Sequence, residues 1–310
     1  MSGHGTPNHF NYGTKDQFMP YAIPADDFMH EPGNDDIFWT ETAMFSFAVP
    51  ERRISGMSYP LFRLNQGVCN SAIYVWDDSG EADHEILYSQ NFWHLPLPED
   101  PQKLRLLNGL KYDVLEPLRR YRVRYDGGLV KFDLQYEGIC EPVMNKAGNH
   151  LDQPCRVTGT LEIRGETIPV DCYEIRDKTW HVRSDLRVAS DIAEGSYTYA
   201  ITPDSAVVAQ MMGSPSGEQE LANGWLFRDG QVSSLKTGSR KATRDPGRPA
   251  SFVELGGTDE MGRTFHLSGK TVNHYALRAA PSLPTWASAV EFDFDGVAAH
   301  GQNQEWSMQL

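Results

Sequence analysis

No stretch of this chain approaches the ~20 consecutive apolar residues that a membrane-crossing helix needs. Its first residues, Met1 to His9, carry neither the basic nor the apolar segment of a secretory leader. A cytoplasmic protein without a membrane span is therefore expected. Cysteine is scarce: Cys69, Cys140, Cys155 and Cys172 are the only four, none in CxxC spacing. Neither a zinc knuckle nor a disulfide framework fits, so free buried thiols are the default. Positive charge is in deficit, with 28 Lys and Arg against 42 Asp and Glu and a formal net charge of -14. That balance argues against nucleic acid or an anionic membrane as a partner. No HxH or HExxH pattern suggests a metal, and His30 beside Asp26, Asp27 and Glu31 reads as a solvated acidic loop. No Gly-rich phosphate loop follows a strand, so no nucleotide cofactor is expected. The Gly-x-Ser-x-Gly elbow of an α/β hydrolase is missing as well. Helical periodicity is nearly absent; residues 102–110 have some apolar spacing, but Asn108-Gly109 breaks it.

What the chain has instead is period two. Tyr121 to Tyr125 and Leu129 to Tyr136 alternate apolar and polar residues, as half-buried strands do. Turn chemistry separates such runs at Tyr125-Asp126-Gly127-Gly128, Arg164-Gly165-Glu166, Arg228-Asp229-Gly230 and Asp259-Glu260-Met261-Gly262. The same grammar continues through 157–164, 196–200, 206–212, 251–255, 263–268 and 287–294. Many short strands with regular turns point to an all-β protein of antiparallel barrels or sandwiches. A length of 310 residues suggests two domains. The polar, Gly/Pro-bearing segment 141–154 is the expected linker, dividing the chain into 1–145 and 146–310.

The segment Tyr173 to Asp185 stands apart. Ten residues, Arg176 to Asp185, hold two carboxylates, three cations, an indole and an imidazole, directly after the strand-like run 167–172. Burying such charges unpaired is very costly, so they either pair with one another or face a cavity. A structural ion-pair cluster and an active site are both open readings.

Arg176-Asp177-Lys178-Thr179-Trp180, followed by Val182-Arg183, resembles the Asp-His-Ser/Gln-Trp-Gly signature of the AttH-like, carotenoid 1,2-hydratase-like superfamily. His30 followed by Trp39-Thr40-Glu41-Thr42 resembles the N-terminal start of that family. Tyr74 to Asp78, Asn108-Gly109-Leu110 and Glu116-Pro117-Leu118 resemble a bacterial branch of two-domain members, and His300 to Trp306 the closing strand. The resemblance implies two lipocalin-like antiparallel β-barrels packed side by side around an apolar ligand cavity. It also implies cofactor-free chemistry, since relatives include hydratases of carotenoid and isoflavonoid double bonds and fungal pericyclases. The chain departs from the pattern where Lys178 replaces the usual His and His181 the usual Gly.

Asp177 is the candidate general acid, because an apolar wall would raise its pKa. An ion pair with Arg176, Lys178 or Arg183 would instead lower it. His181 suits acid–base work near neutral pH, and Trp180 could stabilise a carbocation through its ring face. On an unbroken strand Asp177 and His181 share one face and Trp180 takes the other, so a site using all three needs a bulge. Glu41 is a second candidate carboxylate, on the same side as Trp39, with a rim salt bridge as its alternative. His94 sits among aromatics where it would line the mouth of the first barrel. Tyr173, Lys178, Arg183 and Glu305 complete the expected binding set. The expected activity is cofactor-independent addition or removal of water across a C=C bond, or its isomerisation, on a hydrophobic or aromatic small molecule. A lyase or an isomerase is meant. Cyclisation of a polyene and carriage of a hydrophobic ligand are the alternatives, and homodimer formation stays open.

Overall fold

A computed structural model of the chain describes residues 21–100, 103–183, 194–213, 219–280 and 283–307. Asp185 lies outside the described residues. A short 3-10 turn, Pro24–Asp27, precedes the strands. The first eleven are Trp39–Val49 (β1), Ile54–Arg63 (β2), Val68–Trp76 (β3), Tyr88–Pro96 (β4), Leu104–Arg105 (β5), Lys111–Glu116 (β6), Arg120–Asp126 (β7), Val130–Gly138 (β8), Val143–Met144 (β9), His150–Ile163 (β10) and Glu166–Val182 (β11). The remaining eight are Glu194–Ile201 (β12), Ala206–Met212 (β13), Glu220–Arg228 (β14), Gln231–Thr243 (β15), Phe252–Asp259 (β16), Thr264–Ala280 (β17), Leu283–Phe294 (β18) and Val297–Ser307 (β19). Among the described residues no helix is long and apolar enough to cross a membrane.

Strands β1 to β11 form one sheet in the order β4-β3-β2-β1-β11-β10-β8-β7-β6-β5, with β9 beside β10. The sheet curls far enough that Tyr88 on β4 meets Tyr125 on β7, hydroxyl to hydroxyl at 2.6 Å. Strands β12 to β19 run in sequence order and close on themselves as an eight-stranded barrel. The architecture is thus all-β, a curled half-barrel beside a closed barrel, as the period-two patterning and the family resemblance lead one to expect. All four cysteines are free and buried.

The division at 145/146 falls inside the first sheet rather than between the two. Asn145 to Gly148 make a turn, in which the Gly148 N–H donates to the Asn145 carbonyl, that leads into β10. Both β10 and β11 then pair within the first sheet, and the change of sheet lies between Val182 and Glu194. A polar turn with Gly and Asn has the composition of a linker whether it joins sheets or only strands, so composition alone misplaces the boundary.

Three apolar layers follow from the alternation of side chains along each strand. One fills the half-barrel, around Phe45, Phe47, Phe132 and Tyr136. Another fills the closed barrel, around Met211, Leu255, Phe265 and Phe292. A third lies between the sheets and joins Met44, Met57, Trp76 and Ile175 to Tyr199, Val208, Trp225 and Tyr275. The Trp76 indole N–H donates to Asn273 Oδ1 at 2.9 Å across this layer, and Glu81 takes Arg248 and His274 at its edge.

Barrel closure leaves little room at β19. Gly301 pairs with Ala200, and a Cβ added there would lie 1.9 Å from the Tyr199 carbonyl oxygen. Gly301→Ala is expected to separate β12 from β19 and destabilise the protein by about 2 kcal/mol, the cost of forcing a side chain into closed packing. Urea unfolding measures it, and an unchanged midpoint would show that the seam can yield.

Candidate active site

The charged segment is the C-terminal half of β11, and it is unbroken there. Trp39 to Phe45 of β1 pair in register with Val182 to Arg176, and His150 to Gln153 of β10 pair with Thr179 to Arg176 on the other side. With no bulge, successive side chains point to opposite faces. Arg176, Lys178 and Trp180 therefore serve one face of the sheet, and Asp177, Thr179 and His181 the other.

The first of these faces is knit together by buried ion pairs. Arg176 Nη2 donates to Asp27 Oδ1 at 2.7 Å and to the Tyr121 hydroxyl at 2.6 Å, and Nε donates to Gln153 at 2.7 Å. Lys178 Nζ uses the Asp26 and Phe28 carbonyls at 2.8 and 2.6 Å and Glu41 Oε1 at 2.9 Å. Glu41 also accepts from the His30 backbone N–H at 2.9 Å and meets the His30 ring at 3.2 Å. Burial works against the Glu41 carboxylate, but Lys178 and His30 outweigh it and hold its pKa below the usual range. Trp180 stacks on His30 with ring centroids 4.0 Å apart, and Trp39 packs in the same small cluster. These groups tie the segment 24–30 under the half-barrel. A narrow pocket opens on this face, where Asp27, Glu41 and Lys178 line it together with Phe28, Met29, Ala43, Phe62, Leu104 and Tyr112.

The other face looks into the layer between the sheets and carries a different set. Asp177 is half-buried and has no hydrogen-bond partner among the described residues. Directly across the ladder stands Asp152. Asp152 accepts from the Tyr197 hydroxyl at 2.6 Å and the Trp225 indole N–H at 3.2 Å, both reaching over from the barrel. It also meets His150 Nε2 at 3.0 Å, while His150 Nδ1 lies 2.7 Å from the Thr179 hydroxyl. Like Asp177, the residues His150, Thr179 and Tyr197 keep partial exposure.

The electrostatics of this group separate its two carboxyls. Burial would raise Asp152, yet the His150 charge, with hydrogen bonds from His150, Tyr197 and Trp225, keeps it below the usual carboxylate range. Burial also opposes the His150 imidazolium, but Asp152 outweighs it and lifts His150 to about 9. Asp177 has no such partner. Burial pushes its carboxyl up to about 7, the Asp152 charge adds to this, and His150 and Arg183 only partly offset it. Near neutrality this face thus carries a partly protonated carboxyl beside an imidazolium–carboxylate pair, a combination suited to general acid catalysis. Tyr197 stays protonated, its pKa raised well above that of free tyrosine chiefly by burial.

The other residues singled out by the sequence are scattered. His181 shares the face of Asp177 but sits four positions along an extended strand, about 13 Å away. Its Nδ1 bonds the Val182 carbonyl at 2.8 Å, and burial lowers its pKa. Trp180, Glu41, Trp39 and Lys178 are on the opposite face, so no site joins Trp180 to Asp177. Tyr173 packs against the inter-sheet layer. Arg183 is half-buried, its carbonyl accepting from Arg63 at 2.7 Å and its charge reaching Asp177. His94 is exposed on the edge strand β4, in a left-handed conformation with φ 57°. Glu305 lies inside the closed barrel, gripped by Arg240 and Arg244 and by the Ala250 N–H at 3.1 Å. Sequence reading missed His150, Asp152, Tyr197 and Trp225. Alternation along β10, β12 and β14 was their only local signal.

The family model described as a domain of unknown function, DUF7064, matches residues 23–309. The chain belongs to this family. A search of curated proteins finds no match. Among solved structures, kievitone hydratase from Nectria haematococca is 12% identical over 96% of this chain and 95% of its own, with a TM-score of 0.59. An AttH-like protein from Nitrosomonas europaea is 14% identical over 99% of both chains, at 0.62. CghA, solved with Sch210972, is 12% identical over 96% of this chain and 97% of its own, at 0.57. At these identities the likeness is one of fold: this DUF7064 chain shares the AttH-like architecture, here a curled half-barrel beside a closed barrel.

Proposed function

We propose that the protein is a cofactor-independent acid–base enzyme acting on a C=C bond of a hydrophobic or aromatic small molecule, bound in the crevice between the two sheets. Hydration or its reversal is the favoured reaction, and isomerisation of the same bond uses the same proton. The observation that carries this reading is the Asp177 carboxyl, unpaired among the described residues and lifted to about 7. Protonation of an alkene carbon by Asp177 leaves a cation, which the adjacent Asp152 carboxylate and the ring of Tyr197 would stabilise. His150 and Tyr197 hold Asp152 ionised and in place, so the negative charge that keeps the proton on Asp177 persists through turnover. A passive carrier of apolar ligands has little use for such an arrangement, although fold alone does not decide the matter.

Kievitone is the first probe, because a hydratase of that name shares the fold. Incubation in heavy-oxygen water, read by mass spectrometry, should show one labelled oxygen per product, and Asp177→Asn should remove the signal. Product without label favours isomerisation or a pericyclic step. Full activity in the Asn variant rejects Asp177 as the acid.

A further inference from the structure

The apolar filling of the closed barrel does not run its full length. Along the inner face of β19, Ala299 and Gly301 give way to Asn303 and Glu305. Ser288 and Trp286 of β18 stand directly across the ladder from these two. From β15, on the far wall of the barrel, Arg240 reaches over to both Asn303 and Glu305. One end of the barrel interior is therefore polar, and it is separate from the group around Asp177.

The acceptors of this polar group are filled. Glu305 Oε1 takes Arg240 and Arg244, and Oε2 takes Arg244 and the Ala250 N–H. Asn303 Oδ1 takes the Thr198 hydroxyl at 2.8 Å and Arg240 Nη2 at 3.0 Å. A guanidinium only donates, so the second of these bonds fixes which end of the Asn303 amide is oxygen. Gln219 Oε1 takes the Ser196 hydroxyl and Arg240 Nη1. Each of these oxygens meets two donors, as many as its lone pairs serve. Donors are left over. Arg240 Nε, Asn303 Nδ2 and Ser288 Oγ make no hydrogen bond among the described residues. The Arg240 side chain is 2% exposed, and Asn303 and Ser288 are 0% exposed. The two nitrogens flank the bond between Arg240 and Asn303, and Ser288 is the ladder neighbour of Asn303, so the three donors share one place.

Buried N–H groups without acceptors are costly. A water among them would accept from two, but it must also donate, and the amide and carboxylate oxygens of the group are taken. A guest that only accepts and carries negative charge fits better. Burial, with Arg244 adding to it, outweighs Glu305 and holds the Arg240 pKa below its ordinary value, so the cation has charge to spare for a second anion. Toward solvent the group meets Trp286, half-buried beside Glu305 on the ladder, and Arg244, whose side chain keeps 15% exposure. Leu221 adds a half-buried apolar side chain from β14. We infer that this end of the closed barrel binds a small organic carboxylate. Its oxygens lie on Arg240 Nε, Asn303 Nδ2 and the Ser288 hydroxyl, and its apolar body lies toward Trp286. Barrel mouths are common places for such ligands. The site is independent of the reaction proposed at Asp177, which belongs to the layer between the sheets.

The test uses the full chain, with benzoate as the probe and acetate and inorganic phosphate beside it. Calorimetric titration should show saturable one-to-one binding of benzoate, and acetate, which has no body to set against Trp286, should bind roughly 10-fold more weakly. Asn303→Asp replaces the donor by a fixed carboxylate and should abolish benzoate binding. Ser288→Ala removes a single donor and should weaken it by roughly 5-fold. Trp286→Leu should weaken benzoate and leave acetate unchanged, and Asp177→Asn should bind benzoate like the wild type. In protein carrying nitrogen-labelled arginine, the one Nε–H signal that Arg240→Lys removes should shift as benzoate is added. That signal and Ser288→Ala decide the matter if Asn303→Asp does not fold. Failure of both benzoate and acetate to bind would mean that buried water alone serves these donors, and would overturn the inference. Binding of benzoate that ignores the Asn303 and Ser288 substitutions would overturn it too, as would an Arg240 signal indifferent to benzoate. Phosphate held as tightly as benzoate would overturn the organic carboxylate in favour of an inorganic oxyanion.

Discussion

Asp177→Asn should abolish turnover and, at pH 8, make the protein more stable. The first effect follows from losing the proton donor, and a loss of at least about 100-fold is the usual contribution of one such group. The second follows from linkage. The folded carboxyl titrates near 7, against 3.8 for an unperturbed aspartate. Between those values the native state holds a proton that the unfolded chain has released, so stability falls as pH rises from about 4 to about 7 and stays reduced above. A shift of that size corresponds to at most about 4 kcal/mol, and the partial exposure of Asp177 brings the expected gain nearer 2 kcal/mol. Asparagine never ionises and escapes this cost. Thermal melts of both proteins at pH 4 and pH 8 measure it: the difference should be small at pH 4 and appear at pH 8. Wild-type activity should decline above about pH 7 as the acid form is lost. An equal difference at both pH values would mean that Asp177 is not an elevated carboxyl.

Asp27→Ala should be the most damaging single change on the opposite face, costing about 3–5 kcal/mol. Asp27 and Arg176 are both 0% exposed at the side chain. The guanidinium also lies over the Tyr121 ring, 3.9 Å from its centroid. Removing Asp27 leaves that cation in the core with only neutral partners. It also frees the Leu118 N–H, which donates to the same carboxylate, and loosens the segment 24–30 from the half-barrel. Urea unfolding with an unchanged m-value reads the loss. The double variant Asp27→Leu with Arg176→Met should recover much of it, because the cost comes from the stranded charge rather than from the pair's own attraction. A loss below about 1 kcal/mol in Asp27→Ala would show that Arg176 finds water or another acceptor.

These two residues also show how far the sequence could be read. The period-two runs expose the strands, since a half-buried strand must alternate whatever lies opposite. Alternation likewise assigns Asp177 and Trp180 to opposite faces, given an unbroken β11. What local sequence cannot express is the identity of the partner strand. His150 lies just after an Asn- and Gly-containing turn, two residues before Asp152 on β10, and only the pairing of β10 with β11 brings the two of them beside Asp177. Tyr197 and Trp225 reach Asp152 from the barrel, across a seam that sequence does not display. The division at 145/146 failed for the same reason, because β10 joins the first sheet through its long ladder with β11 and not through anything in its own composition. Glu41 and Glu305 looked like site carboxylates because a carboxylate beside an indole reads alike in a crevice and in a core. The cations that neutralise them come from other strands.

The continuous run of β11 has a consequence for how this protein can change over time. Its odd positions from 173 to 179 face the layer between the sheets, and its even positions from 176 to 180 anchor the half-barrel. A library of substitutions along the strand should therefore split by parity: changes at 176 and 178 reduce the yield of folded protein, whereas changes at 177 and 179 leave the yield and alter catalysis. Chemistry on one side can be retuned by point substitution without disturbing assembly on the other. An insertion or deletion of one residue would exchange the two roles at every position at once, so the strand should tolerate many replacements and almost no change in length.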